Sequence, residues 1–78
     1  MYMINKKGPL TERQMQVLKL IAEGKKSNEI GLELCISPRT VERHAIDMRM
    51  RMQAKNLPHL ISICYQKGLI ELKIKYRG

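Results

Sequence analysis

Near the middle of the chain Ser37 is followed by Pro38, and this pair constrains the fold more than any other feature. A serine hydroxyl accepts from the free N–H groups at a helix start, and a proline at the first helical position loses no hydrogen bond. A helix therefore begins at residue 38 and runs to about 52, and no strand or helix continues through this point. Three further helices follow from similar punctuation. Thr11 and Gln14 form a capping box, Leu10 and Met15 a hydrophobic staple, and Gly24 a stop, which predicts a helix over about 12–23. Ser27 reads as the N-cap of a short helix over about 27–34, and Asn56 with Pro58 begins a fourth over about 57–67, stopped by Gly68. The chain is expected to be all-α.

Periodicity assigns the faces. Met15, Leu18 and Ala22, widened by Val17 and Ile21, give the first helix an inward stripe from which Leu20 is absent, and Ile30 and Leu34 share one side of the second. Gly31 lies inside that second helix, where glycine costs roughly 0.5–1 kcal/mol relative to alanine. Its presence suggests another helix passing too close for a side chain, or mere tolerance. In the third helix Val41, Ala45, Met48 and Met52 form an apolar face, while Arg39, Arg43, Ile46 and Met50 centre the opposite one, flanked by Glu42 and Asp47. Aliphatic side chains among arginines suggest that this face meets something. Leu57, Leu60, Ile61 and Cys64 make the inner stripe of the fourth helix, and Ile63, off that stripe, is placed at a subunit contact. Beyond it Ile70, Leu72, Ile74 and Tyr76 alternate with charged residues, a strand pattern that needs a partner such as Tyr2 to Ile4; the alternative is a frayed end.

Composition narrows the function. Seventy-eight residues hold one small core, and a net charge of +8 favours a polyanionic partner. Residues 38–78 carry nine Lys or Arg against three acids, while residues 1–37 carry six against four, so the partner should meet the second half. Three tyrosines, with no Phe or Trp, are too few for the stacking platforms that bind single strands, which leaves a duplex groove as the better target. No apolar run is long enough to span a bilayer, and Met1 to Lys7 lack a signal peptide's apolar stretch, so a cytoplasmic, nucleoid-associated protein is expected. Cys35 and Cys64, both beside apolar neighbours, are expected to be buried reduced thiols, with a disulfide or redox switch as the alternative. Neither His44 nor His59 has a metal-ligand neighbour at suitable spacing, and His59 is expected to be exposed on the first turn of the fourth helix. No nucleophile, base and orienting group can be assembled, which argues against an enzyme and implies no cofactor.

The second helix, a three-residue link and the third helix match the helix-turn-helix unit. Around that unit the residues themselves carry a resemblance. Leu10-Thr11-Glu12-Arg13, the run Val17 to Gly24, Glu29-Ile30, Leu34, Ile36-Ser37, Thr40-Val41, His44 and Gly68-Leu69-Ile70 stand in order and without gaps. Over residues 10–70 the chain resembles the LuxR/GerE-type DNA-binding domain. The resemblance implies a four-helix domain over 10–70, with an arm over 1–9 and a tail over 71–78, that binds double-stranded DNA as a homodimer and regulates transcription initiation.

Carried over by position, the resemblance implies base reading by Glu42, Arg43 and Ile46, with Arg39, Thr40 and His44 near phosphates or groove edges. Lys26, Ser27 and Asn28 at the start of the second helix and Met50 on the outward face complete the expected DNA-contacting set. Arg43 is the strongest specificity candidate, since a guanidinium bonds both O6 and N7 of guanine. The fourth helix would supply the dimer contact through Leu60, Ile63, Cys64 and Lys67. The family usually has Lys where this chain has Glu42, and Asn where it has Asp47. Glu42 either accepts from cytosine N4 or pairs with Arg39 one turn back, the pairing being favoured, while Asp47 pairs with Arg51. A further departure, in Lys25-Lys26-Ser27-Asn28, shifts the capping hydroxyl by one place. Family members usually carry an N-terminal receiver or sensor domain, so the chain is read either as a stand-alone regulator or as an excised domain. A rival reading is a protein-interaction module that uses the same frame to bind another regulator or RNA polymerase; a membrane-surface helix fits poorly.

Overall fold

The computed structural model describes residues 9–71, which form four helices: α1 (Glu12–Ala22), α2 (Ser27–Leu34), α3 (Pro38–Met52) and α4 (Leu57–Gln66). Three of the four starts rest on side-chain caps. Thr11 Oγ1 accepts from the Gln14 N–H at 3.1 Å while Gln14 Oε1 accepts from the Thr11 N–H at 3.1 Å, closing the capping box. Ser37 Oγ accepts from the Thr40 N–H at 3.1 Å with Pro38 in the first turn, and Asn56 Oδ1 accepts from the His59 N–H at 2.8 Å. α2 starts differently. Ser27 is its first residue and Lys26 takes the cap position; lysine has no acceptor, so the reciprocal half alone forms, with Glu29 Oε1 accepting from the Lys26 N–H at 2.8 Å. α1 and α4 each end one residue before the expected 23 and 67, and Gly24 and Gly68 follow with φ of +88° and +72°.

α3 packs against each of the other helices, so the core gathers around its inner face. Val41 and Met48 are fully buried there, together with Val17 and Leu18 of α1, Ile30 of α2, and Leu60 and Cys64 of α4. Burying each large aliphatic side chain contributes about 1.5–3 kcal/mol before entropy is counted. Leu20, expected outside the stripe, is also buried. α1 has neighbours on two sides, α2 and α3, and a helix held that way buries more than one stripe. Leu57, expected in the inner stripe of α4, is instead exposed. It is the first helical residue, and helical side chains lean toward the N-terminus, which carries this one off the start of the helix.

The close approach at Gly31 comes from the turn after α2. A Cβ at this position would lie 2.5 Å from the Ile36 carbonyl oxygen and 3.3 Å from the Pro38 nitrogen. Cys35 ends α2 in the left-handed region, with φ +59°, and the Ile36 N–H donates to the Gly31 carbonyl at 2.9 Å. This reversal explains a correction: Cys35 is exposed rather than buried, because the chain turns its side chain out while Ile36 packs on the core. Cys64 is buried, and no disulfide joins the two. His59 is half-buried rather than exposed, with its Nδ1 accepting from the Lys55 N–H at 2.9 Å and closing the turn before α4. Of the alternating tail, Ile70 is buried and Glu71 exposed, while the rest of it and Tyr2 to Ile4 lie outside the described residues.

Candidate nucleic-acid interface

A helix can enter a duplex groove only if its outward face is free and its flanks carry cations. α3 has both. Ile46 and Met50 are 55% and 73% exposed, and Arg39 and Arg43 lie open to solvent on the same side. Ile46 stands on a ridge between two shallow grooves. One groove is lined by Lys25, Lys26, Ser27, Glu42 and Arg49, and the other by Thr11, Thr40, Arg43, His44, Met50 and Arg51. The ridge is one helix wide, roughly 10–12 Å, and a major groove is about 12 Å wide. Positive groups thus stand on both sides of an apolar crest.

Local contacts set the chemistry of each group. Thr40 is half-buried and its Oγ1 lies 2.9 Å from Ser37 Oγ, so part of its hydroxyl capacity serves the cap. Arg49 Nη2 donates to the Lys55 carbonyl at 2.8 Å, which fastens the end of α3 to the turn before α4. Lys25 reaches Glu33 at 3.9 Å, a loose and exposed pair worth little. Asp47 accepts from Arg51 Nε at 2.8 Å, as expected, and also from the Gln14 side-chain amide of α1. The Gln14 hydrogen bond, together with Arg51, holds its carboxyl below the ordinary carboxylate value. Glu42 is exposed and makes no ion pair among the described residues, so the pairing with Arg39 favoured from the sequence is absent.

The expected DNA-contacting residues fall largely on this surface. Lys26, Ser27, Thr40, Glu42, Arg43, His44, Ile46 and Met50 line the two grooves, while Asn28 and Arg39 are exposed but line neither. Lys25, Arg49, Arg51 and Thr11 join them although the sequence did not single them out as site residues. Arg49 lies three positions after Ile46, a helical spacing that could have flagged it; Thr11 arrives from α1 through tertiary packing and left no such signal. The expected dimer set divides. Leu60 and Cys64 have no accessible surface and belong to the protomer's own core, which corrects their assignment to a subunit contact. Ile63 is half-buried and Lys67 exposed. Among the described residues no His, Cys, Asp or Glu group could hold a metal ion, and no helix is long and apolar enough to cross a membrane.

An open, basic-flanked helix braced by a second helix through a three-residue turn defines a DNA-binding domain of the helix-turn-helix class. Comparison with known sequences agrees. The family model GerE, bacterial regulatory proteins, luxR family, matches residues 8–64, and the chain belongs to that family. Its relatives include the transcriptional regulatory protein FixJ of Rhizobium meliloti, 42% identical over 59 residues that cover 76% of this chain and 29% of FixJ. YvfU of Bacillus subtilis, also described as a transcriptional regulatory protein, is 37% identical over 68 residues, 87% of this chain and 34% of YvfU. The oxygen regulatory protein NreC of Staphylococcus aureus is 34% identical over 62 residues, 80% of this chain and 29% of NreC. The chain spans about a third of the length of these curated relatives.

Proposed function

We propose that the chain binds double-stranded DNA sequence-specifically, with α3 in the major groove, as a homodimer on an inverted repeat, and thereby regulates transcription from the nucleoid. The observation that carries this reading is the exposed Arg43 and Ile46 crest with cationic groups on both flanks. Arg43 offers two donors to guanine O6 and N7, and Ile46 packs on a thymine methyl. Lys26, Ser27, Asn28, Arg39, Thr40 and His44 approach the phosphates, and Met50 extends the apolar crest. Ile63 and Lys67 are the positions of the expected dimer set with accessible surface for a second copy. Two such helices then read half-sites about one helical turn, roughly 34 Å, apart. The names of FixJ and YvfU, both transcriptional regulatory proteins, support the regulatory role.

The test is binding to promoter-derived duplexes across a salt series. Affinity should fall steeply as salt rises, and Arg43→Ala should lose about 1–3 kcal/mol of discrimination at one base pair per half-site. Salt-independent binding, or a variant with unaltered preference, overturns the reading. The exposure of Ile46 and Met50 beside acidic Glu42 favours a second reading, a surface that docks another regulator or RNA polymerase. Capture of RNA polymerase that Ile46→Glu abolishes, with no specific duplex shift, would select it.

A further inference from the structure

The two acids on the outward half of α3 are in opposite states. Asp47, half-buried, already has partners within the protein, an ion pair with Arg51 Nε at 2.8 Å and a hydrogen bond from the Gln14 amide of α1. Glu42 is exposed and has neither an ion pair nor a side-chain hydrogen bond among the described residues. It lines the same groove as Lys26, Ile46 and Arg49. An unpaired, exposed carboxylate on a surface that meets phosphates lowers affinity for every duplex unless the duplex supplies a donor.

Resting on the duplex-binding reading above, we infer that Glu42 is a specificity residue that selects a cytosine in each half-site and disfavours binding to non-specific duplex. An ionised carboxylate only accepts hydrogen bonds. In the major groove guanine presents O6 and N7, thymine presents O4, and adenine presents N7 beside its amine, each placing a lone pair against the carboxylate. Cytosine alone presents only a donor, its N4 amine. The charge therefore repels all sequences through the phosphates and is compensated over cytosine. Its effect is on the ratio of specific to non-specific affinity more than on affinity itself. Lys26 and Arg49 in the same groove supply the general attraction that holds the duplex close. Ile46 lies four positions on, about 6 Å along the helix axis, which is less than two base-pair steps. The cytosine should thus neighbour the base pair that Ile46 covers.

The full chain and its Glu42→Ala and Glu42→Gln variants, each first shown to keep the wild-type thermal midpoint, go through selection from a randomised duplex library. Affinity is then measured for the winning duplex, for that duplex with its cytosine replaced, and for a scrambled duplex of equal length. The wild type should enrich cytosine at one position per half-site, and replacing it should cost about 5- to 100-fold. In Glu42→Ala that position becomes indifferent, the other positions keep their preferences, and the scrambled duplex binds more tightly than it does to the wild type. Glu42→Gln should gain tolerance of adenine there, since an amide both accepts from N6 and donates to N7. Identical preferences in all three proteins, or a scrambled duplex bound equally by all, would overturn the inference while leaving duplex binding intact. A wild type that binds no duplex would overturn both.

Discussion

Gln14 and Asp47, 33 positions apart in the chain, are joined by a hydrogen bond from the Gln14 side-chain amide to the Asp47 carboxylate. The same glutamine closes the capping box of α1 through its Oε1, and Asp47 also holds Arg51, whose Nη1 reaches the Pro9 carbonyl at 3.4 Å. One buried amide therefore ties the start of the first helix to α3, the helix that carries the exposed Arg43, Ile46 and Met50. Its isolation from solvent makes these bonds costly to lose, because the groups left behind have no water to replace them.

Gln14→Leu keeps the volume and the burial but removes the cap acceptor and the donor to Asp47. Urea unfolding should show a loss of about 1–3 kcal/mol. A loss below a few tenths would mean that the bonds contribute nothing net.

The lowered pKa of Asp47 has a definite sign in stability. The folded carboxyl, held by Gln14 and Arg51, gives up its proton at lower pH than in the unfolded chain. The contribution is fully present above the unfolded value and is lost as pH falls through that value toward the folded one. Asp47→Asn should flatten the decline in thermal midpoint that the wild type shows as pH falls below the ordinary aspartate value of 3.8. Parallel curves for the two proteins would contradict the assignment.

Gly31→Ala sets helix propensity against space. Propensity alone favours alanine by about 1 kcal/mol. The new Cβ would meet the Ile36 carbonyl oxygen at 2.5 Å, and that oxygen belongs to backbone that cannot swing aside. Overpacking of this kind costs about 1–3 kcal/mol, so a lower thermal midpoint is expected despite the better helix former. A raised midpoint would show that the turn yields.

The two cysteines should react at different stages. Cys35 is exposed at the turn between α2 and α3, whereas Cys64 is buried and its thiol is pushed up by desolvation, away from the reactive thiolate. A chromogenic disulfide reagent should modify one thiol per chain in native buffer and two in denaturant, and Cys35→Ser should abolish the native reaction. Two fast thiols in native buffer would contradict the packing around Cys64.

Much of the site was legible before any tertiary contact was known, for reasons that are local. The Ser37 and Pro38 start set the phase of α3, and phase alone put Arg43, Ile46 and Met50 on one side and Val41 and Met48 on the other. What escaped were groups whose state depends on a neighbour brought in from elsewhere. Periodicity placed Leu60 and Cys64 on the inner stripe of α4, and only their assignment to a dimer contact, taken from the resemblance, conflicts with their complete burial in the protomer's own core. Periodicity could not separate the fates of Glu42 and Asp47, which look alike along α3 until Gln14 arrives beside only one of them.

Caps, breakers and the 3.6-residue repeat thus determined by themselves that the described residues form four helices, about where each begins, and which face of α3 points outward. Those features arise from hydrogen bonds and side-chain directions within a few residues. The tertiary structure decided the turn that brings Ile36 against Gly31, the outward Cys35, the burial of Leu20 and the unequal environments of the two acids on α3. Each of these depends on which surfaces meet when α1, α2 and α4 close around α3, and distance across the fold is not written in local spacing.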